Sequence, residues 1–212
     1  MRLKVSNIRR LVCGVGVNDA SYITQKFERV NGKSKLVWIC PFYRRWKSMI
    51  VRCYSSKYHS RSTYKDCYVQ DEWKTFSNFR KWMEAQEWEG LHLEKDLLIC
   101  GNKVYSPDTC VFVTQQVNGF LIDSVEFRGE WPIGVNWHKN VGKFIAQCNN
   151  PFTKKSEHLG VFDCPYEAHA AWLAKKLEHA YALAAIQTDP RVAAALIERY
   201  TNYQSDRIKE EL

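Results

Sequence analysis

The sequence predicts an α+β protein, and three patterns carry that reading. Residues 134–138, 143–149 and 157–162 are short strand-like runs, followed by an Ala-rich helical run over about 165–187. Residues 91–120 read as strand, turn, strand and helix. From Pro41, the apolar residues Phe42, Trp46, Met49, Ile50 and Cys53 recur at steps of three and four, with Arg44, Arg45, Lys47 and Arg52 between them. The 212 residues are 45% hydrophobic and 25% charged, which fits a folded chain and excludes wholesale disorder. No apolar run reaches the roughly 20 residues of a membrane span. Met1-Arg-Leu-Lys lacks the apolar core of a secretory signal, so a cytoplasmic location is expected.

In chain order, residues 1–40 mix basic positions with short apolar runs around the turn-like Gly14-Val-Gly-Val-Asn-Asp19. Pro41 suits a first helical turn, and the helix after it pairs an aromatic stripe with a basic face. Residues 54–70, rich in Ser, Lys and Tyr, are expected as loop. Asp71 is the expected cap of a helix over 72–88 that buries Trp73, Phe76, Phe79, Trp82 and Met83. A strand over 91–99 places His92, Glu94 and Asp96 on one face and Leu93, Lys95 and Leu97 on the other. A Gly101-Asn102 turn and a connection through Ser106-Pro-Asp108 lead to a strand at 110–113 and a helix capped by Thr114. A short acidic link over 123–132 ends at Pro132 and separates a domain over 1–122 from a second over 133–187. In the Ala-rich helix, Leu173, Leu177, Ala180, Tyr181 and Ala184 form the expected apolar stripe. Thr188-Asp-Pro190 stops that helix and starts a last one, about 190–210 within the tail 188–212, which either docks on the core or pairs with a second chain. Monomer and homodimer both remain open.

Charge is unevenly placed. Residues 1–60 hold 13 Lys and Arg against Asp19 and Glu28, so the formal net charge of +8 is a basic segment of +11 and a remainder of −3. A localised basic excess is the footprint of a protein that meets a polyanion, although a solubility surface looks the same. The eight cysteines include no Cys-x-x-Cys pair, the usual half-site for zinc. Free, mostly buried thiols are expected, with Cys53, Cys67, Cys100 and Cys110 as a dispersed alternative metal site.

Several strings occur together in order: Gly14-Val-Gly-Val-Asn-Asp19, Cys40-Pro-Phe-Tyr-Arg-Arg-Trp-Lys-Ser-Met49, Arg52-Cys-Tyr54, Trp73-Lys-Thr-Phe-Ser-Asn-Phe79, Gly101-Asn-Lys-Val-Tyr-Ser-Pro107 and Cys110-Val-Phe-Val113. Over roughly residues 12–122 they resemble the phage HNH (ββα-metal) endonucleases of homing-endonuclease type. The resemblance implies an HNH-like nuclease domain with one divalent cation, Mg²⁺ or Mn²⁺ and not zinc. That ion would stabilise the charge building on the leaving oxygen of a phosphodiester while a base activates water. Carried over residue by residue, the metal ligands fall on Glu94 and Asn118. The family's general-base His falls on Lys95 and its orienting Asn on Thr109. Lysine is a poor base near neutral pH unless desolvated, so His92 and Asp96 stand as substitutes, with Lys95 then contacting phosphate. Arg44, Arg45, Lys47 and Arg52 are candidate phosphate contacts.

Further on, Gly134-Val-Asn-Trp-His138, Lys143-Phe-Ile-Ala146, Leu159-Gly-Val-Phe-Asp163 and Glu167-Ala-His-Ala-Ala171 resemble the APETALA/ethylene-response-factor DNA-binding domain over about 132–187. The resemblance implies a three-stranded antiparallel sheet packed on one helix, with the sheet in the major groove. Base-facing positions map to Asn136, His138, Gln147, Asn149 and His158, with Lys143 near the backbone and Lys154 and Lys155 as phosphate contacts. Together the two resemblances imply a metal-dependent endonuclease of double-stranded DNA directed by its C-terminal module. The alternative is a DNA-binding or regulatory protein whose nuclease site has decayed.

Overall fold

The computed structural model describes residues 11–59, 64–122 and 130–203, and it shows an α+β chain. The chain divides into two compact units. One runs through Asp96 and takes in Gly101–Phe112; the other holds Leu97–Cys100 and the chain from Val113.

The first unit opens with a hairpin, β1 (Gln25–Val30) and β2 (Lys33–Ile39), where no regular element was expected. Asn31 and Gly32 turn it, with φ of 51° and 74°, the left-handed values that a tight hairpin turn requires. Next comes α1 (Pro41–Tyr54), with Trp46, Met49, Ile50 and Cys53 buried as the 3.6-residue pattern predicts, and Tyr43 buried where the half-buried Phe42 was expected. The expected loop over 54–70 contains α2 (Ser56–His59) and β3 (Tyr68–Val69).

The helix expected over 72–88 is shorter and differently capped. Asp71–Lys74 is a 3-10 turn, and α3 spans Phe76–Glu84 from the extended Thr75. The break has a cause outside the helix. Val17 bridges to this point, its N–H bonding the Lys74 carbonyl at 2.8 Å and its carbonyl accepting from Phe76 N at 2.9 Å. Asp19 caps from the same segment, accepting from Ser77 N at 2.9 Å. The string from Gly14 to Asp19 is thus a strap over α3. Around it lies an aromatic core in which Trp46 donates to the Trp73 carbonyl at 2.7 Å and Trp73 meets Phe79 edge-on at 5.0 Å.

Three short strands follow: β4 (His92–Glu94), β5 (Val104–Tyr105), which pairs parallel with β3, and β6 (Val111–Val113), which pairs with β4. The strand expected over 91–99 stops at Glu94, because the Glu94 carboxylate accepts from the N–H groups of Lys95 (2.8 Å) and Asp96 (3.0 Å) and turns the chain. Asp96 therefore does not continue the face of His92 and Glu94.

In the second unit, α4 (Gln115–Phe120) has the expected cap, with Thr114 accepting from Val117 N at 3.2 Å. The antiparallel sheet β7 (Val135–His138), β8 (Lys143–Asn149) and β9 (Ser156–Phe162) matches the expected strands within one residue. It packs on α5 (Pro165–Ala184) through Val135, Phe144, Ala146 and Ala168. Gly134 makes that packing possible: its φ is +84°, and an added Cβ would lie 2.1 Å from the Trp172 ring. Of the expected acidic link, 123–129 lie outside the described residues. Trp131 is not linker, since its ring meets Phe144 at 4.7 Å.

The buried stripe of α5 is not the one expected. Tyr181 is exposed, whereas Trp172, Lys176, His179 and Leu183 are buried beside Ala180 and Ala184. Polar side chains are tolerated there because each finds a partner. Lys176 Nζ donates to the Phe120 carbonyl at 2.7 Å and lies 3.8 Å from the Phe120 ring centre, and His179 pairs with Glu157 at 2.9 Å. The last helix, α6 (Pro190–Thr201), is shorter than expected, and residues 204–212 lie outside the described ones. Among the described residues no helix is long and apolar enough to cross a membrane.

Candidate nucleic-acid interface and acidic site

Two places hold the candidate residues. The first is the face of β7–β8–β9 turned away from α5. Strand side chains alternate, and β8 shows this directly: Phe144, Ala146 and Cys148 are buried while Gln147 and Asn149 are exposed. Register sets the neighbours. Asn136 lies opposite Ile145, His138 opposite Lys143, Gln147 opposite His158 and Asn149 opposite Ser156, with an irregularity between Ala146 and Gln147. Asn136, His138, Gln147, Asn149 and His158 therefore share one face. The Asn136 amide donates to the Gln147 side-chain carbonyl at 3.5 Å, a long bond that joins the two across the strands of this face. His138 buries its Nδ1 without a hydrogen-bond partner.

Lys154 and Lys155 are exposed on the β8–β9 loop. Asn150 builds that loop by accepting from Phe152 N (2.8 Å) and Thr153 N (3.0 Å) while donating to Glu157 (2.8 Å). Lys143 begins the central strand β8 on the same face and pairs with Asp163 at 3.1 Å. These partners pull the Glu157 carboxyl below the usual carboxylate value, Asn150 first and His179 with it.

The second place is β4. Burial pushes the Glu94 carboxyl above its ordinary value, and the adjacent Asp96 carboxylate pushes it the same way. Lys95 does not project toward a phosphate. It is 5% exposed, and its ammonium bonds Asp96 (3.1 Å) and the Asn102 carbonyl (3.0 Å). Asn102 is the fixture that the Gly-Asn turn hid in the sequence. Its amide donates to the carbonyls of Lys95 and Val104 and accepts from Val104 N, closing the connection between β4 and β5. Thr109, at the orienting-Asn position, instead donates to the Val104 carbonyl at 2.8 Å. His92, half-exposed, begins β4 two residues before Glu94, on the same face. Asn118 belongs to α4 in the second unit, whereas Glu94 belongs to the first.

The basic face of α1 divides. Arg44 is exposed and Lys47 half-exposed. Arg45 is spent on the protein, donating to the Leu91 carbonyl at the start of β4. Arg52 turns inward too, 5.6 Å from the Tyr64 ring and hydrogen-bonded to Tyr105, close enough to Glu94 to feel its charge. Two arginines thus frame β4, where periodicity put four cations on one outer face.

Five of the eight cysteines, Cys40, Cys53, Cys67, Cys110 and Cys148, are buried. Cys53 and Cys110 are pushed up to about 12, chiefly by burial, whereas Cys100 is exposed. Among the described residues no three His, Cys, Asp or Glu side chains are placed to share a metal ion. The donors at β4, Glu94 and Asp96, are hard carboxylate oxygens, the class that suits Mg²⁺ with water completing its shell.

No protein-family model matches the chain, and no solved structure matches it. Among curated proteins the chain is similar to Ethylene-responsive transcription factor ERF116 of Arabidopsis thaliana, 42% identical over 50 residues. That stretch is 24% of this chain and 17% of the plant protein, so the chain spans about a sixth of the length of the relative it matches.

Proposed function

We propose that this protein binds double-stranded DNA through the outer face of β7–β8–β9. One observation carries the reading: five hydrogen-bonding side chains, Asn136, His138, Gln147, Asn149 and His158, stand on a single exposed sheet face with no acidic residue among them. Asn and Gln amides pair bidentately with adenine, and β-sheet readers lay their strands in a DNA groove. Lys154 and Lys155 flank the face and meet phosphates, which position the sheet without reading sequence. The similarity to a plant transcription factor over a stretch as long as β7 through α5 supports the same reading.

A second reading, metal-dependent cleavage of that DNA, is favoured by β4. Glu94 and Asp96 are neighbouring carboxylates whose mutual repulsion a divalent cation would relieve, Arg52 is close enough to Glu94 to feel its charge, and Arg45 holds the Leu91 carbonyl at the start of the strand. Glu94, with Asp96, would hold Mg²⁺ or Mn²⁺, and the ion would supply electrophilic stabilisation of a departing oxygen. Because Lys95 is buried and hydrogen-bonded, the base falls to His92, and Lys95 holds the acidic turn in shape. Where cleavage is absent, the protein is a DNA-binding regulator built on the same surface.

Both readings meet one experiment. Purified protein is incubated with supercoiled plasmid in Mg²⁺, Mn²⁺ or EDTA, alongside Glu94→Ala and His92→Ala variants, and duplex binding is measured by fluorescence anisotropy. Binding with metal-dependent nicking that both variants lose supports the endonuclease. Binding without nicking in either metal leaves the regulator, and no binding to any duplex contradicts the proposal.

A further inference from the structure

We infer that the β1–β2 hairpin is a second DNA-contacting element, a two-stranded ribbon that enters the major groove of the duplex. The inference rests on the DNA-binding reading and adds a surface that neither the β7–β9 face nor β4 includes. Along both strands only Gln25 and Ile39, at the base, are even half-buried; from Lys26 to Trp38 every residue is exposed. An isolated two-stranded ribbon is marginal in water, so a ribbon with both faces bare points to something it meets.

Its chemistry says what. Lys26, Arg29, Lys33 and Lys35 stand against the single acid Glu28, giving a net +3 over fifteen residues. A second copy of the ribbon would meet this one charge against like charge, whereas a phosphate backbone complements it. The register spreads the cations around the ribbon: Arg29 lies opposite Ser34, Glu28 opposite Lys35 and Val30 opposite Lys33, near the Asn31-Gly32 tip. At the base, Lys26 sits 5.6 Å from the Trp38 ring centre. Phe27 pairs with Leu36 beside it, so one face carries an apolar strip between cations. Strands about 4.8 Å apart with side chains on either side suit a groove about 12 Å wide. There the apolar strip meets base edges and thymine methyls, and the cations reach the phosphates on each wall.

The test uses the full chain and a 30-base-pair duplex. Affinity is measured by anisotropy over a range of salt for the wild type and for a Lys26→Gln/Arg29→Gln/Lys33→Gln/Lys35→Gln variant. All four sites are exposed, so the fold survives, which circular dichroism checks. Each phosphate contact contributes about 0.9 to the slope of log K against log salt, so the slope falls by about 3 to 4 in the variant. A Trp38→Ala variant weakens binding while keeping the slope. An unchanged slope in the quadruple variant, with the wild type bound, overturns the inference and leaves the sheet reading intact. Wild-type protein that binds no duplex overturns the sheet reading first and this one with it. A hairpin effect larger on single-stranded DNA than on duplex overturns the groove assignment. A change in the mass of the free protein by sedimentation assigns the ribbon to self-association instead.

Discussion

The sheet β7–β9 and the ribbon β1–β2 are both antiparallel and of similar strand length, yet they are held in different ways. The sheet covers one face with α5, so its pleat is locked: slipping one residue would carry Phe144 and Ala146 into water and Gln147 onto the helix. The ribbon has no covered face, and its register depends on the Asn31-Gly32 turn and on cross-strand pairs. A covered sheet presents a fixed set of side chains, as base reading needs. An uncovered ribbon presents charge and apolar surface that a ligand can organise.

The sharpest way to break that contrast is one methyl group. Gly134→Ala puts a Cβ 2.1 Å from Trp172 at a φ of +84°, and overpacking with backbone strain costs about 3 kcal/mol or more. Thermal unfolding of the second unit should show it. Next in size is the loop pair: Lys154→Gln/Lys155→Gln should lower the salt slope of duplex binding by about 2 while leaving base preference unchanged. Two glutamates then separate by sign. Glu157 is held low by Asn150 and His179. The stability it contributes is present above the unfolded carboxylate value and lost as pH falls through the folded one, so Glu157→Gln flattens the acid limb of the stability curve. Glu94 is raised. Its folded state keeps a proton that the unfolded chain releases, so stability declines as pH rises from the unfolded value through the folded one, and Glu94→Gln abolishes that decline. Denaturant titrations between pH 3 and 8 read both. The smallest effect is Gly32→Ala: nothing lies within 4 Å of the new Cβ, and only the φ of +74° is strained, costing about 1 kcal/mol.

Much of the fold was legible where one period governs one buried face. Helix α1, the three strands β7–β9, the Thr114 cap and the Pro190 start all follow from local pattern. What failed depended on partners distant in sequence. The helix after Asp71 is broken by Val17, more than fifty residues earlier; the strand after Leu91 is the local exception, ended by its own Glu94 side chain on the next two N–H groups. Arg45 and Arg52 look like surface cations until Leu91 and Tyr105 claim them. Lys176 and His179 fall outside the expected apolar stripe because the partners that let them be buried, Phe120 and Glu157, lie on other elements. The ribbon was missed for a different reason. With no covered face its residues show no polar-apolar alternation, and Asn31-Gly32 was the sole local sign. The five positions on the sheet face were legible because alternation alone places them.

Base reading by the proposed sheet face is open to selection from randomised DNA. Wild-type protein is used to enrich randomised duplexes, and the winning site is compared with a scrambled one for wild type and for Asn136→Ala/Gln147→Ala. Each bidentate amide-to-base pair is worth about 1–3 kcal/mol of discrimination. The account predicts that the variant loses tenfold or more of its preference for the selected site while its affinity for scrambled DNA stays as it was. Preference retained in full by the double variant would contradict it.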